Sequence, residues 1–142
     1  MSVVDEATRT TLEARAGHRC EYCRLPMRGQ VATFPIDHIT PRTRQGRTEL
    51  DNLAVACPHC NARKWIHTQS VDPVTAEEVE LFHPRHDRWE DHFRWSAADA
   101  TILEGISAKG RATIGRLEMN DPNLIDIRRL LVELDLLHNL QT

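Results

Sequence analysis

Two cysteine pairs, Cys20-x-x-Cys23 and Cys57-x-x-Cys60, constrain this chain more than any other feature. A CxxC turn can set two thiolates on one side of a tight loop. Two such turns facing one another make a tetrahedral four-cysteine site, the geometry that structural zinc prefers. Pro26 and Pro58 stiffen the region. Residues 24–56 separate the pairs, longer than the simplest zinc-ribbon spacing, so the insert must be a structured excursion. A redox CxxC or two disulfides are the rival uses of these cysteines. All four belong to the paired motifs and none is left over, which favours a structural Zn2+. A closed four-cysteine site has no open coordination position, so this metal is not expected to do chemistry. The chain has 142 residues, 40% hydrophobic and only 5% aromatic, a size and composition for which metal binding energy helps the fold.

The net charge of −3 argues against a protein that coats nucleic acid, but the charge is unevenly placed. Residues 1–67 carry ten Lys/Arg against seven Asp/Glu, and residues 68–142 carry eight against fourteen. The basic side chains thus share a half with all four cysteines, and local potential matters more than the sum for binding phosphates. Taken one at a time, these arginines read as a solvated face. No apolar run approaches the roughly 18–20 residues of a membrane span. Met1 to Asp5 lacks the basic and apolar regions of a secretory signal. Cytoplasmic localisation, with no membrane partner, is the expectation, and in a reducing compartment four cysteines suggest metal more than disulfides.

The pattern predicts one α+β domain over 1–142, with a core at about 17–67 and an extension at about 68–142. Asp5 to Ala16 reads as a helix capped by Asp5 and stopped at Gly17. Ala32 to Ile39 suits a short strand ending at His38, Thr40 to Leu50 a polar loop broken by Pro41 and Gly46, and Asn52 to Ala56 a short return, either strand or helical turn. Asn61 to about His67 starts a helix. Val71 to Leu81 suggests a hairpin around Asp72-Pro73, and His92–Trp95 and Thr101–Ile106 two strands. Lys109–Met119 and Pro122–Leu140 suit helices, the last with Leu124, Ile127, Leu131, Leu134 and Leu137 at helical spacing.

Inside the excursion lies Ile36-Asp37-His38-Ile39-Thr40-Pro41, followed by Gly46, Asn52-Leu53 and Cys57-Pro-His-Cys60-Asn61-Ala-Arg63-Lys64. The order CxxC, DHI, G, NL, CxxCN, xxK resembles the HNH (His-Me finger, ββα-metal) endonucleases over about residues 17–64. The third letter is Asn here rather than His. The resemblance implies a zinc-stapled ββα-metal core and a metal-dependent hydrolase of DNA phosphodiester bonds that leaves 5′-phosphate and 3′-hydroxyl ends. It assigns His38 as general base, Asp37 and Asn61 as ligands of a catalytic Mg2+ or Mn2+, and Asn52 as the residue whose amide fixes the backbone carrying His38. The residue types suit the chemistry. An imidazole titrates near neutrality and can take a proton from water. A hard cation wants oxygen donors, which a carboxylate and an amide provide.

Asp37 and His38 are neighbours, so in an extended strand they point to opposite sides, and a twist or bulge must let both reach one site. Lys64 lies one helical turn after Asn61 and, with Arg63 and Arg42, is a candidate phosphate contact; plain surface charge is the equal alternative for Lys64. Double-stranded DNA is the expected partner, with a homodimer as the arrangement that would cut both strands. The competing class is a zinc-containing module that binds nucleic acid or protein without cutting. His18, His86, His92 and His138 carry no spacing argument; His59, between Pro58 and Cys60 in the knuckle, is expected to be exposed, and His67, six positions after Asn61, is in poor helical register for a shared ligand site. The run Leu81–Arg85, Trp89, His92–Trp95 and Gly110–Ile114 is similar to a tail found on a subset of bacterial HNH proteins. There Trp89, Phe93 and Trp95 are expected to pack on the nuclease core, with His83 and Arg85 in structural roles.

Overall fold

The computed structural model describes residues 4–137. The element pattern is α+β: four helices and three two-stranded antiparallel sheets among the described residues. The chain divides between Ile66 and His67 into two compact units.

The first unit opens with α1 (Glu6–Arg15), whose start is set by Asp5: its carboxylate accepts the Thr8 amide at 2.7 Å, satisfying one of the orphan donors of a helix start. It ends where Gly17 takes φ 71° and the His18 amide closes back on Glu13 O, the left-handed stop that glycine adopts without strain. Leu12 is the fully buried face of this helix. Arg15 ties it to the rest by donating to Leu50 O and Leu53 O.

Strand β1 (Ile36–His38) pairs antiparallel with β2 (Leu53–Val55), Asp37 lying opposite Ala54. The strand predicted from Ala32 is shorter than expected because β2 offers only three residues to pair with, and Val31 to Thr33 are exposed. Between the strands the chain makes two 3-10 turns, Arg42–Arg44 and Leu50–Asn52. Gly46 packs so closely on the Thr40 carbonyl that any β-carbon would collide with it. Helix α2 (Pro58–Lys64) follows. It starts three residues earlier than expected, because Cys57 is its N-cap and Pro58 occupies the first turn, where a missing N–H costs nothing.

The second unit holds hairpin β3 (Gln69–Val71) and β4 (Glu78–Glu80), then β5 (Phe93–Trp95) paired with β6 (Leu103–Gly105), then α3 (Ala108–Leu117) and α4 (Pro122–Glu133). Trp89, Phe93 and Phe82 pack on one another with ring centroids 5.2 and 5.3 Å apart. His83 stacks on His86 at 3.8 Å and its Nδ1 accepts the Arg85 amide, so it shapes a turn. In α4, Leu124 and Leu131 are buried, but Ile127 and Leu134 are exposed. The inward position is taken instead by Arg128, fully buried, which donates to Thr101 O and Met119 O and lies 5.4 Å from the Trp95 ring. The helix also ends at Glu133, ahead of the predicted Leu140, and His138 and Leu140 lie outside the described residues.

Asp72 anchors this unit. Fully buried, it receives two parallel bonds of 2.9 Å from Arg111, plus the Thr75 hydroxyl and the Val74 amide. Hydrogen bonding from Arg111, above all, holds its carboxyl well below the ordinary value of 3.8. Such a group stabilises the fold when ionised, and that contribution is lost as pH falls through the ordinary value toward the lower folded one. Asp72→Asn is therefore expected to lower Tm at pH 7. The gap from wild type should close as acidification proceeds below about pH 3.8; a gap independent of pH would contradict the assignment.

Candidate active site and four-cysteine centre

The four cysteine sulfurs gather from two elements. Cys20 and Cys23 sit on the loop after α1, where the Cys20 amide bonds Leu25 O and the Arg24 amide bonds Cys20 O. Cys57 and Cys60 sit at the start of α2, on its N-cap and in its first turn. The Cys23 amide points at Cys20 Sγ and the Cys60 amide at Cys57 Sγ, both at 3.4 Å. These amide dipoles favour charge on sulfur. All four sulfurs are buried and lie within 4.8 Å of one another, Cys23 and Cys57 at 3.7 Å. Hydrogen bonding to Cys20 and Cys23 pushes the Cys57 thiol up, and the same neighbours raise Cys60. Sulfurs this close cannot all ionise without a cation among them. The donor set and its closeness therefore fit a tetrahedral Zn2+. Among the described residues no other trio of His, Cys, Asp or Glu gathers in this way. The cysteines are free of disulfides.

Asp37, His38 and Asn61 come together. They line one open cleft of about 280 Å3, with Ile36, Pro41, Arg42, Thr43, Trp65 and Ile66. A larger hollow of about 770 Å3 lies beside α1, lined by Asp5, Glu49, Asp51 and three threonines with no cation; its charge repels phosphate.

His38 is half-buried, and its Nε2 lies 2.9 Å from Thr48 Oγ1. Burial lowers its pKa below the ordinary value, while the Asp37 charge pulls it back up. Asn52 laces the intervening loop. Its Oδ1 accepts the Thr40 amide at 2.8 Å, and its Nδ2 donates to Thr40 O and Arg47 O. Its own carbonyl accepts the Ile39 amide, so the chain just after His38 is held by both the backbone and the side chain of Asn52. Asn61 lies half-buried on α2.

Asp37 occupies the inward position of β1 and is only 5% exposed. Its Oδ2 accepts the Tyr22 hydroxyl at 2.7 Å and lies 3.1 Å from Lys64 Nζ, which is 3.3 Å from Oδ1. Burial raises the Asp37 pKa, and the Lys64 charge and the Tyr22 bond oppose that rise. Burial, followed by the Asp37 charge, pushes Tyr22 well above its ordinary 10.0, so it remains a donor. A carboxylate has about four acceptor positions, so these partners leave Asp37, which lines the cleft, capacity for a further one such as a hard cation.

Lys64 requires a correction. It is not a surface phosphate contact: it is 1% exposed, and its ammonium also donates to Ile39 O at 3.0 Å and His38 O at 3.4 Å. The helical-turn argument locates it on α2 but misses that this face turns inward. Arg63 is half-buried and reaches His59 O; Arg42 is exposed on the cleft. Sequence reasoning also misses Tyr22 and Thr48 as partners of the site. The available signal for Tyr22 is an acid at an inward strand position, which demands donors; for Thr48 the sequence holds none.

Removing one member of a buried ion pair leaves the other uncompensated, at a cost of about 3–5 kcal/mol. Lys64→Met is expected to lose that much in denaturant unfolding. Adding Asp37→Asn should recover most of it, since both charges are then gone. Full stability of the single variant would place the ammonium outside the interior.

The comparisons with known proteins point the same way. The HNH endonuclease family model matches residues 20–65. The chain is similar to Septu protein PtuB of Bacillus thuringiensis, 21% identical over 119 residues, which cover 82% of this chain and 42% of that protein. The chain thus spans less than half the length of that relative. No solved structure gives a significant match. Residues 20–65 therefore match the HNH endonuclease family, and within them the four cysteines meet at one point.

Proposed function

We propose that residues 20–65 form a metal-dependent endonuclease site that hydrolyses DNA phosphodiester bonds, leaving 5′-phosphate and 3′-hydroxyl ends. The observation that carries this reading is that an imidazole, a carboxylate and an amide, His38, Asp37 and Asn61, line a single cleft. Chemistry on phosphate needs a base for water and positive charge for the phosphate oxygens. His38 takes the water proton. In the tautomer whose Nε2–H donates to Thr48 Oγ1, 2.9 Å away, Nδ1 keeps the lone pair that accepts it. Asp37 and Asn61 would hold a Mg2+ or Mn2+, which would supply positive charge for the phosphate and the departing 3′ oxygen. Lys64 and Tyr22 fix the Asp37 carboxylate from the interior. Arg42, exposed on the same cleft, steadies a flanking phosphate of double-stranded DNA. The four-cysteine centre holds Zn2+ and takes no part in the reaction. Among the described residues no helix is long and apolar enough to cross a membrane; four cysteines gathered as metal donors rather than joined in disulfides suit a reducing compartment.

Supercoiled plasmid with Mg2+ or Mn2+ tests the reading. Wild-type protein is expected to nick it, and His38→Ala to cut roughly 10²–10⁴-fold more slowly. Equal rates would remove His38 as base. Binding without any cutting by wild type would assign the cleft to the non-catalytic class.

A further inference from the structure

Trp65 stands out in the first unit for combining a bulky ring, an unusual backbone conformation and exposure. It caps the C-terminal end of α2 at φ 46° and ψ −117°, a conformation in which a bulky side chain is a true outlier. Its side chain is 67% exposed, whereas Trp89 is 7% exposed in its own core. A bulky residue held in such a backbone conformation, with its side chain mostly exposed, costs the fold stability. Such strain persists where the geometry is used. Trp65 lines the same cleft as Asp37, His38, Asn61 and Arg42.

We propose that Trp65 is a stacking platform for a nucleobase beside the scissile phosphate, so that the substrate this site takes best is DNA with an unstacked base at the cleavage point. The inference deepens the nuclease reading and rests on it. A phosphate held by the polar floor of the cleft brings its own nucleotide against the cleft wall, and an indole there presents a flat π-face. Inside a continuous duplex that face finds no base to stack on. A mismatched, looped or single-stranded base is already free of its neighbours and costs less to bring to the ring. Stacking on an aromatic side chain is tolerant of sequence and contributes roughly ten- to hundred-fold in affinity per base. Arg42, exposed on the same cleft, supplies the sequence-independent phosphate contact. The cleft thus has the two parts that single-stranded recognition combines, positive charge along the backbone and an aromatic surface for the base.

The test uses the full chain without added Mg2+ or Mn2+, so that nothing is cut, and two probes: a fully paired duplex and the same duplex with one unpaired base. Wild type is expected to bind the second more tightly, with quenching of the exposed indole. Trp65→Gly should lose roughly ten-fold or more in affinity for that probe and most of the preference. Its Tm should rise by a few degrees, because glycine accepts a positive φ without strain. Trp65→Phe should keep part of the preference. Unchanged binding of both probes by Trp65→Gly would overturn the proposal. So would a fall in Tm with the preference intact, which assigns the ring to packing. His38-dependent nicking of plasmid is read separately: its presence alongside unchanged binding by Trp65→Gly sinks this inference alone, and its absence in wild type sinks the nuclease reading.

Discussion

Four buried sulfurs within 4.8 Å of one another are the arrangement from which the rest of the first unit follows. Like charges at that distance repel unless a cation sits among them, so the cluster is a folding device only with its metal. The consequence is positional. Cys57 is both a sulfur donor and the N-cap of α2, and Pro58 occupies the first turn. The staple therefore fixes where the helix begins and which way it is turned. Once that phase is set, Asn61 lies on the cleft and Lys64 points inward.

The second interior feature is tied to the first through Tyr22, which sits between Cys20 and Cys23 and whose hydroxyl reaches Asp37. The neighbouring Glu21 fastens the same loop to β2 by exchanging bonds with Val55, its amide to the carbonyl and its carboxylate from the amide. A single short loop thus holds a metal donor pair, a sheet edge and the carboxylate of the candidate site. The Asp37 carboxyl is buried with its cation and hydroxyl partners in place. Pairing of this kind limits the desolvation penalty, and it makes each partner costly to remove. His38, next along β1, instead meets Thr48 at the solvent side. The alternation of the strand separates a buried carboxylate from an accessible imidazole, and the cleft admits both.

What the sequence reveals here is what is encoded locally. The Asp5 cap, the Pro122 start of α4 and the paired cysteines each announce themselves within a few residues. The strand expected from Ala32 is too long because a strand's length depends on its partner, and β2 supplies three residues. The sequence places Lys64 correctly along the helix and wrongly in depth, since the face a short helix buries is decided by the strand beneath it. Arg128 replaces an expected apolar position in α4 because carbonyls of Thr101 and Met119 need a donor there, a demand made by residues far along the chain. Trp65 gives no sign in the sequence: a positive φ at a bulky residue is set by the fold around it.

The most direct measurement of this account is a residue-resolved ¹H–¹⁵N spectrum of the full chain before and after zinc is withdrawn by a chelator. Signals from residues 20–65, Asp37, His38 and Asn61 included, are expected to collapse toward unfolded positions, while the second unit, beyond Ile66, keeps its dispersion. If those three residues hold their folded shifts with the metal gone, the sulfur cluster does not build the site, and the central claim is wrong.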